Sequence, residues 1–138
     1  MRGERAGMAK ERIHAAKVAY ITDRLNLTSA QAGAFIPVYN DCEDEVQAVR
    51  KKYRQRYMET HKDAKDDDLR PRRYIDDDLN YQQEVLDIKK KYKDRFLKVL
   101  SEKQLTDLYE SEREFRKLLQ QRLKERRMGM MEDRRRRY

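Results

Sequence analysis

The side chains with the sharpest chemistry are few. His14, His61 and the single cysteine, Cys42, could ligate a metal, and the thioethers of Met128, Met130 and Met131 would suit a soft ion such as Cu(I). A metal centre needs its ligands at fixed spacing, and neither histidine has a His, Cys or Glu three or four residues on that completes a recognisable site. The acidic triplets Asp66 to Asp68 and Asp76 to Asp78 lack the glycine turn and distal glutamate of a calcium loop, and the first is expected to favour the start of a following helix through its dipole. The chain also has no nucleophile beside a base, no phosphate-cradling glycine loop and no paired carboxylates in an apolar setting. No metal, no cofactor and no enzymatic activity are expected. A lone cysteine excludes an intrachain disulfide. Cys42 reads as a buried small hydrophobe, with a bond between subunits as the alternative.

What remains is a binding chemistry. Tyr53, Tyr57, Tyr74, Tyr81 and Tyr92 lie beside Lys51, Lys52, Arg54, Arg56, Lys89, Lys90, Lys91 and Lys93. Tyrosine next to cation offers apolar area with a polar tip and tolerates many partners, so these residues form a candidate client-binding surface. The competing reading is that the tyrosines are packing residues and the lysines only solubilise. A net charge of +8 attracts acidic partners. Nucleic acid is a rival partner through the run Arg134 to Arg137, but no reading module is present and acids are threaded through the rest of the chain, so it is not the preferred one.

These residues must be positioned by helices. The chain is 138 residues long, 43% charged and 38% hydrophobic, with four Gly and two Pro; this composition belongs to long helices around a thin core and leaves little material for a deep pocket. The expected fold is all-α, with four helices in a single domain over residues 9–126 and disordered ends at 1–8 and 127–138. The first helix runs from Ala9 to Leu25, with Ile13, Ala16, Tyr20, Ile21 and Leu25 on one stripe and a break at Asn26-Leu27. In the second, from Ser29 to His61, Ala32, Phe35, Tyr39, Cys42, Val46, Val49, Tyr53 and Tyr57 recur at steps of three and four. Such a helix is about 50 Å long and needs a partner of similar length. The polar stretch Thr60 to Arg73, with Pro71 and only Leu69 apolar, predicts the turn of a hairpin. Tyr81, Val85, Ile88, Tyr92, Phe96 and Val99 form the third seam; Leu105, Leu108, Phe115, Leu119 and Leu123 form the fourth.

One motif occurs twice, as Leu27-Thr28-Ser29-Ala30-Gln31 and Leu100-Ser101-Glu102-Lys103-Gln104. Each is a capping box: the Thr28 or Ser101 hydroxyl accepts from the backbone N–H three positions on, and Gln31 or Gln104 reaches back to the cap. Pro37 lies inside the second helix, where its ring crowds the carbonyl of Gly33; this predicts a bend over residues 33–37, the alternative being a helix that starts only near Pro37.

At these residues the sequence resembles the Leu-Thr-x-x-Gln family of Gram-negative envelope proteins, which contains the Spy and CpxP stress proteins. Within it the chain is most similar to a small secreted subgroup labelled sensors of extracytoplasmic sigma factors, on Ala19-Tyr20-Ile21-Thr22, Leu27-Thr28-x-x-Gln31 and Phe35-Ile36-Pro37-Val38-Tyr39-Asn40. It departs in having Ile36 where that subgroup has tryptophan, and Ser101 where the second motif has threonine. The resemblance spans residues 13–124. It implies a bent helical hairpin, a cradle-shaped antiparallel homodimer, residence in the periplasm as a mature form without its signal peptide, and one of two activities: ATP-independent holding of unfolded proteins on a basic concave face, or reporting of envelope stress or metal to a signalling protein. No stretch is apolar enough for membrane insertion.

Overall fold

A computed structural model describes residues 2–62 and 70–137. It contains four helices, α1 (Arg2–Arg24), α2 (Ser29–Lys62), α3 (Arg70–Leu97) and α4 (Glu102–Arg137), with no strand among the described residues. The chain is all-α, as its composition requires. It divides into two compact units, one of Met1–Ala32 with Ser101–Tyr138 and the other of Gly33–Leu100.

In the first unit α1 packs on α4. Ile21 of α1 and Leu25 just after it, and Leu105, Leu108 and Ser111 of α4, are buried. Farther along, Tyr20 meets Phe115 with ring centroids 5.7 Å apart. Its hydroxyl donates to Glu114 at 2.9 Å and accepts from Arg24, which also pairs with Glu114 at 3.2 Å. The break at Asn26-Leu27 is a left-handed helix cap. Asn26 has φ 51°; its N–H reaches the Asp23 carbonyl and that of Leu27 reaches Thr22, the two bonds of a Schellman ending. Asparagine tolerates this conformation better than other non-glycine residues because its short polar side chain bonds locally.

The second unit is an antiparallel pair formed by α2 from Gly33 onward and α3. Its register is fixed by ion pairs from Glu45 to Lys91, from Lys52 to Glu84 at 2.6 Å and from Arg56 to Asp77 at 2.9 Å. The expected seams lie along it, and their burial fades in one direction. Phe35, Tyr39, Cys42 and Val46, with Tyr92, Phe96 and Leu100, are buried. Val49, Tyr53, Ile88, Val85 and Tyr81 are half-buried. Tyr57 and Tyr74 are exposed. The arms are thus packed at the end of Phe35 and Phe96 and open at the end of Tyr57 and Tyr74.

Two expectations change and one alternative is removed. The ends read as disordered from their lack of apolar periodicity are helical: α1 begins at Arg2 and α4 continues to Arg137. Arg, Lys, Glu and Met are strong helix formers, and propensity carries the helix on where no apolar stripe does. The hairpin turn is shorter than Thr60 to Arg73, since α2 extends to Lys62 and α3 starts at Arg70. Pro71 then occupies the first turn of α3, where a missing N–H costs nothing. Asp66, Asp67, Asp68 and Leu69 lie outside the described residues. Pro37 sits within an unbroken α2, which excludes a helix start near it; the boundary between the two units falls at Gly33.

Candidate functional site

Both capping boxes form as the sequence predicts. Gln31 N–H donates to the Thr28 hydroxyl at 3.1 Å and Thr28 N–H to Gln31 Oε1 at 3.2 Å; Gln104 N–H donates to the Ser101 hydroxyl at 3.1 Å and Ser101 N–H to Gln104 Oε1 at 3.0 Å. The two boxes are also joined to each other. Gln31 Nε2 donates to Gln104 Oε1 at 3.1 Å, and Gln104 Nε2 returns toward Gln31 Oε1 at 3.4 Å and the Leu25 carbonyl at 3.5 Å. One amide pair therefore satisfies two helix starts and the end of α1 together. Glutamate at either position would keep the acceptor but lose the N–H that donates to the other side chain, because a carboxylate only accepts. Leu27 and Leu100 precede the boxes; Leu100 is buried and Leu27 half-buried.

The arms of the second unit carry a repeat that the reading by seams passed over. Glu45-Val46-x-x-Val49-Arg50-Lys51-Lys52-Tyr53-Arg54-x-Arg56-Tyr57 on α2 recurs 39 residues later as Glu84-Val85-x-x-Ile88-Lys89-Lys90-Lys91-Tyr92-Lys93-x-Arg95-Phe96 on α3. Because the arms are antiparallel, each Lys-Tyr pair meets the glutamate of the other copy: Lys52 and Tyr53 face Glu84, while Lys91 and Tyr92 face Glu45. Comparing the sequence with itself would have revealed the repeat; only the pairing of the arms gives it meaning.

These contacts set the electrostatics. The Lys91 ammonium, then the Tyr92 hydroxyl, hold Glu45 below the usual carboxylate range, and Lys52 and Tyr53 do the same for Glu84. In return Glu45, helped by burial, pushes the Tyr92 phenol up to about 12 from 10.0. A raised folded-state pKa means that this contribution to stability is complete below pH 10 and lost as pH climbs toward 12. The glutamate contributions run the other way, present at neutral pH and lost on acidification. In an alkaline absorbance titration a late phenolate step is expected, moving to lower pH in Glu45→Gln; a step that does not move would show that Glu45 is not its cause.

The client surface inferred from sequence is only partly assembled. Tyr92 is 3% exposed and belongs to the packed seam, where its ring lies 6.3 Å from Phe96. This corrects its placement on the open surface, and the reason is periodicity: it shares the face of Ile88 and Phe96. Lys52 and Arg56 are engaged across the arms with Glu84 and Asp77. Tyr53 and Tyr81 are half-buried, edge to face at 5.7 Å, with Lys52 and Arg56 over the Tyr53 ring and Arg50 Nε donating to the Tyr81 hydroxyl at 3.1 Å. Lys51, Lys89, Lys90 and Lys93 are exposed but do not converge with the tyrosines on one cleft.

What does converge is a groove of about 340 Å³ near the open end of the arms. Its walls are Tyr53, Tyr57, Tyr74 and Tyr81, with Arg50, Arg54, Arg73, Thr60, Asp77 and Asp78 around them. Tyr57 and Tyr74 meet edge to face at 6.1 Å, repeating the Tyr53/Tyr81 contact farther along the arms. On the same stretches of the two arms Met58, Ile75 and Leu79 are 62%, 56% and 58% exposed. Arg50, Arg73, Asp77 and Asp78 were not among the sequence candidates. They come from both arms, and only the register of the arms brings them together.

Cys42 is a buried thiol on the α2 seam. Among the described residues no cluster of three or more His, Cys, Asp or Glu is arranged to hold a metal ion. Among the described residues, too, no helix is long and apolar enough to cross a membrane. Comparisons with family models, with characterised proteins and with solved structures find no match.

Proposed function

We propose that this chain holds unfolded segments of other proteins, without ATP, in the groove at the open end of its α2/α3 arms, and that it does so in the Gram-negative envelope, as a homodimer, as its resemblance to the Spy and CpxP family implies. The observation that carries the reading is the gradient of burial along the arms. The same seam that seals Phe35, Tyr39 and Phe96 leaves Tyr57 and Tyr74 49% and 56% open to water.

The chemistry suits a weak and general binder. An unfolded chain presents scattered apolar and aromatic side chains with intervening acids. Tyrosine rings bury apolar area with few rotamers to freeze, and the hydroxyl edge stays wet, so many sequences fit and none fits tightly. Arg50, Arg54 and Arg73 add a cationic rim that favours acidic segments and speeds encounter. Release requires no nucleotide because the contacts are shallow.

The test is aggregation of a chemically unfolded model client, followed with the purified protein present and ATP absent. Suppression at a near-stoichiometric ratio is expected. No suppression would reject holding and turn the same groove into a docking site for a signalling partner, which co-purification with a membrane protein would then reveal.

A further inference from the structure

The first unit carries a second surface that the holding of clients does not use. Between residues 122 and 137, α4 has eight cations against three acids, Glu125, Glu132 and Asp133, and every side chain in this span is exposed. This net +5 is most of the excess charge of the whole protein, which is +8. Cations are interleaved with Leu123, Met128, Met130 and Met131, which are 47%, 58%, 66% and 64% exposed. Leu119, Leu123 and Met130, spaced by four and seven, fall on one face of the helix.

That face continues directly into a groove of about 350 Å³ between α1 and α4. Its walls include Ile13, Tyr20, Phe115 and Leu118, and Arg12 and Arg122 also line it. An apolar trough with arginines in its lining, running into an exposed helix rich in arginine, is the arrangement that lets apolar side chains enter an acyl boundary while guanidinium groups stay at the level of phosphates.

We infer that this face of the first unit, the α1/α4 groove together with the α4 extension, docks the protein on an anionic phospholipid surface. Charge complementarity selects the occupant. Nucleic acid would satisfy the arginines, but it would leave the leucine and methionine side chains in water and find no aromatic platform between residues 122 and 137. A second copy of this chain would bring the same +5 against itself. A lipid surface uses both halves of the pattern, and lies parallel to a helix some 24 Å long. The docking is peripheral, and by this route a holder of unfolded envelope proteins is kept beside the membrane.

The test is co-sedimentation of the full chain with vesicles of phosphatidylcholine alone and of phosphatidylcholine mixed with phosphatidylglycerol, at low and physiological salt. Binding is expected only to the mixed vesicles and should weaken with salt. R134Q/R135Q/R136Q/R137Q should lower partition by up to about a thousandfold, and L118Q/L123Q several-fold; all six residues are exposed, so the fold is spared. Both variants should hold clients as the parent does, so loss of vesicle binding and loss of holding are separate results. The inference is overturned by equal binding to both vesicle types, by no binding to either, by duplex DNA bound more tightly than the mixed vesicles at the same salt, or by self-association through Leu118 and Leu123 with vesicle binding absent.

Discussion

Phe35→Ala is expected to cost about 3–5 kcal/mol of stability and to lower the melting temperature by roughly 10–20 °C for a chain of this size. Phe35 is fully buried, its ring 5.4 Å from Tyr39 and 5.8 Å from Phe96. These rings lie in the buried end of the second unit, and a methyl group in place of one leaves a cavity that two helices held at fixed register cannot collapse to fill. The loss is a large share of the total because domains are stable by only about 5–15 kcal/mol. Leu86→Ala, on an exposed position of α3, should change stability by no more than about 0.5 kcal/mol. Thermal melts of both variants check the pair; equal losses would mean that the two arms do not meet along the Phe35 seam.

The ion pairs contribute much less. Lys52–Glu84, Lys91–Glu45 and Arg56–Asp77 all keep at least one partner largely in water, and such pairs are worth about 0–1 kcal/mol each. Their effect is register. A slip of the arms by one helical turn would set Lys52 and Lys91 away from their glutamates and offset the tyrosine pairs that wall the groove.

The sequence was most informative where a rule is local. Steps of three and four placed Phe35, Tyr39, Cys42 and Val46 on a buried seam, and the pattern Leu-Thr/Ser-x-x-Gln placed both capping boxes, because a capping box needs only four consecutive residues to be read. It was less informative where two distant segments must meet. The bond between Gln31 and Gln104 spans 73 residues, and nothing local in either motif announces it. The same holds for the groove, to which α3 brings Arg73 and Asp77 and α2 brings Arg50 and Arg54. Tyr92 shows the opposite error: its neighbours Lys91 and Lys93 suggested an open surface, but its spacing from Ile88 and Phe96 had already placed it in the seam.

The second large effect concerns the groove itself. Tyr57 and Tyr74 of its walls, and Ile75 next to Tyr74 in the chain, are 49%, 56% and 56% exposed, so replacing all three by serine removes apolar area that water already reaches and disturbs the core little. Each ring gives up contact area only when a client is bound, and apolar area is worth about 25 cal/mol per Å². With about a third of each side chain covered by a client, the triple variant forfeits about 2–3 kcal/mol of holding free energy, or at least a tenfold change in the concentration needed.

The most direct measurement is therefore suppression of client aggregation by Y57S/Y74S/I75S beside the parent, with melting curves recorded for both. Unchanged melting with a tenfold or greater rise in the concentration giving half suppression is the result this account predicts. A variant that melts like the parent and protects the client equally well would contradict it, because the open end of the arms would then have no part in holding.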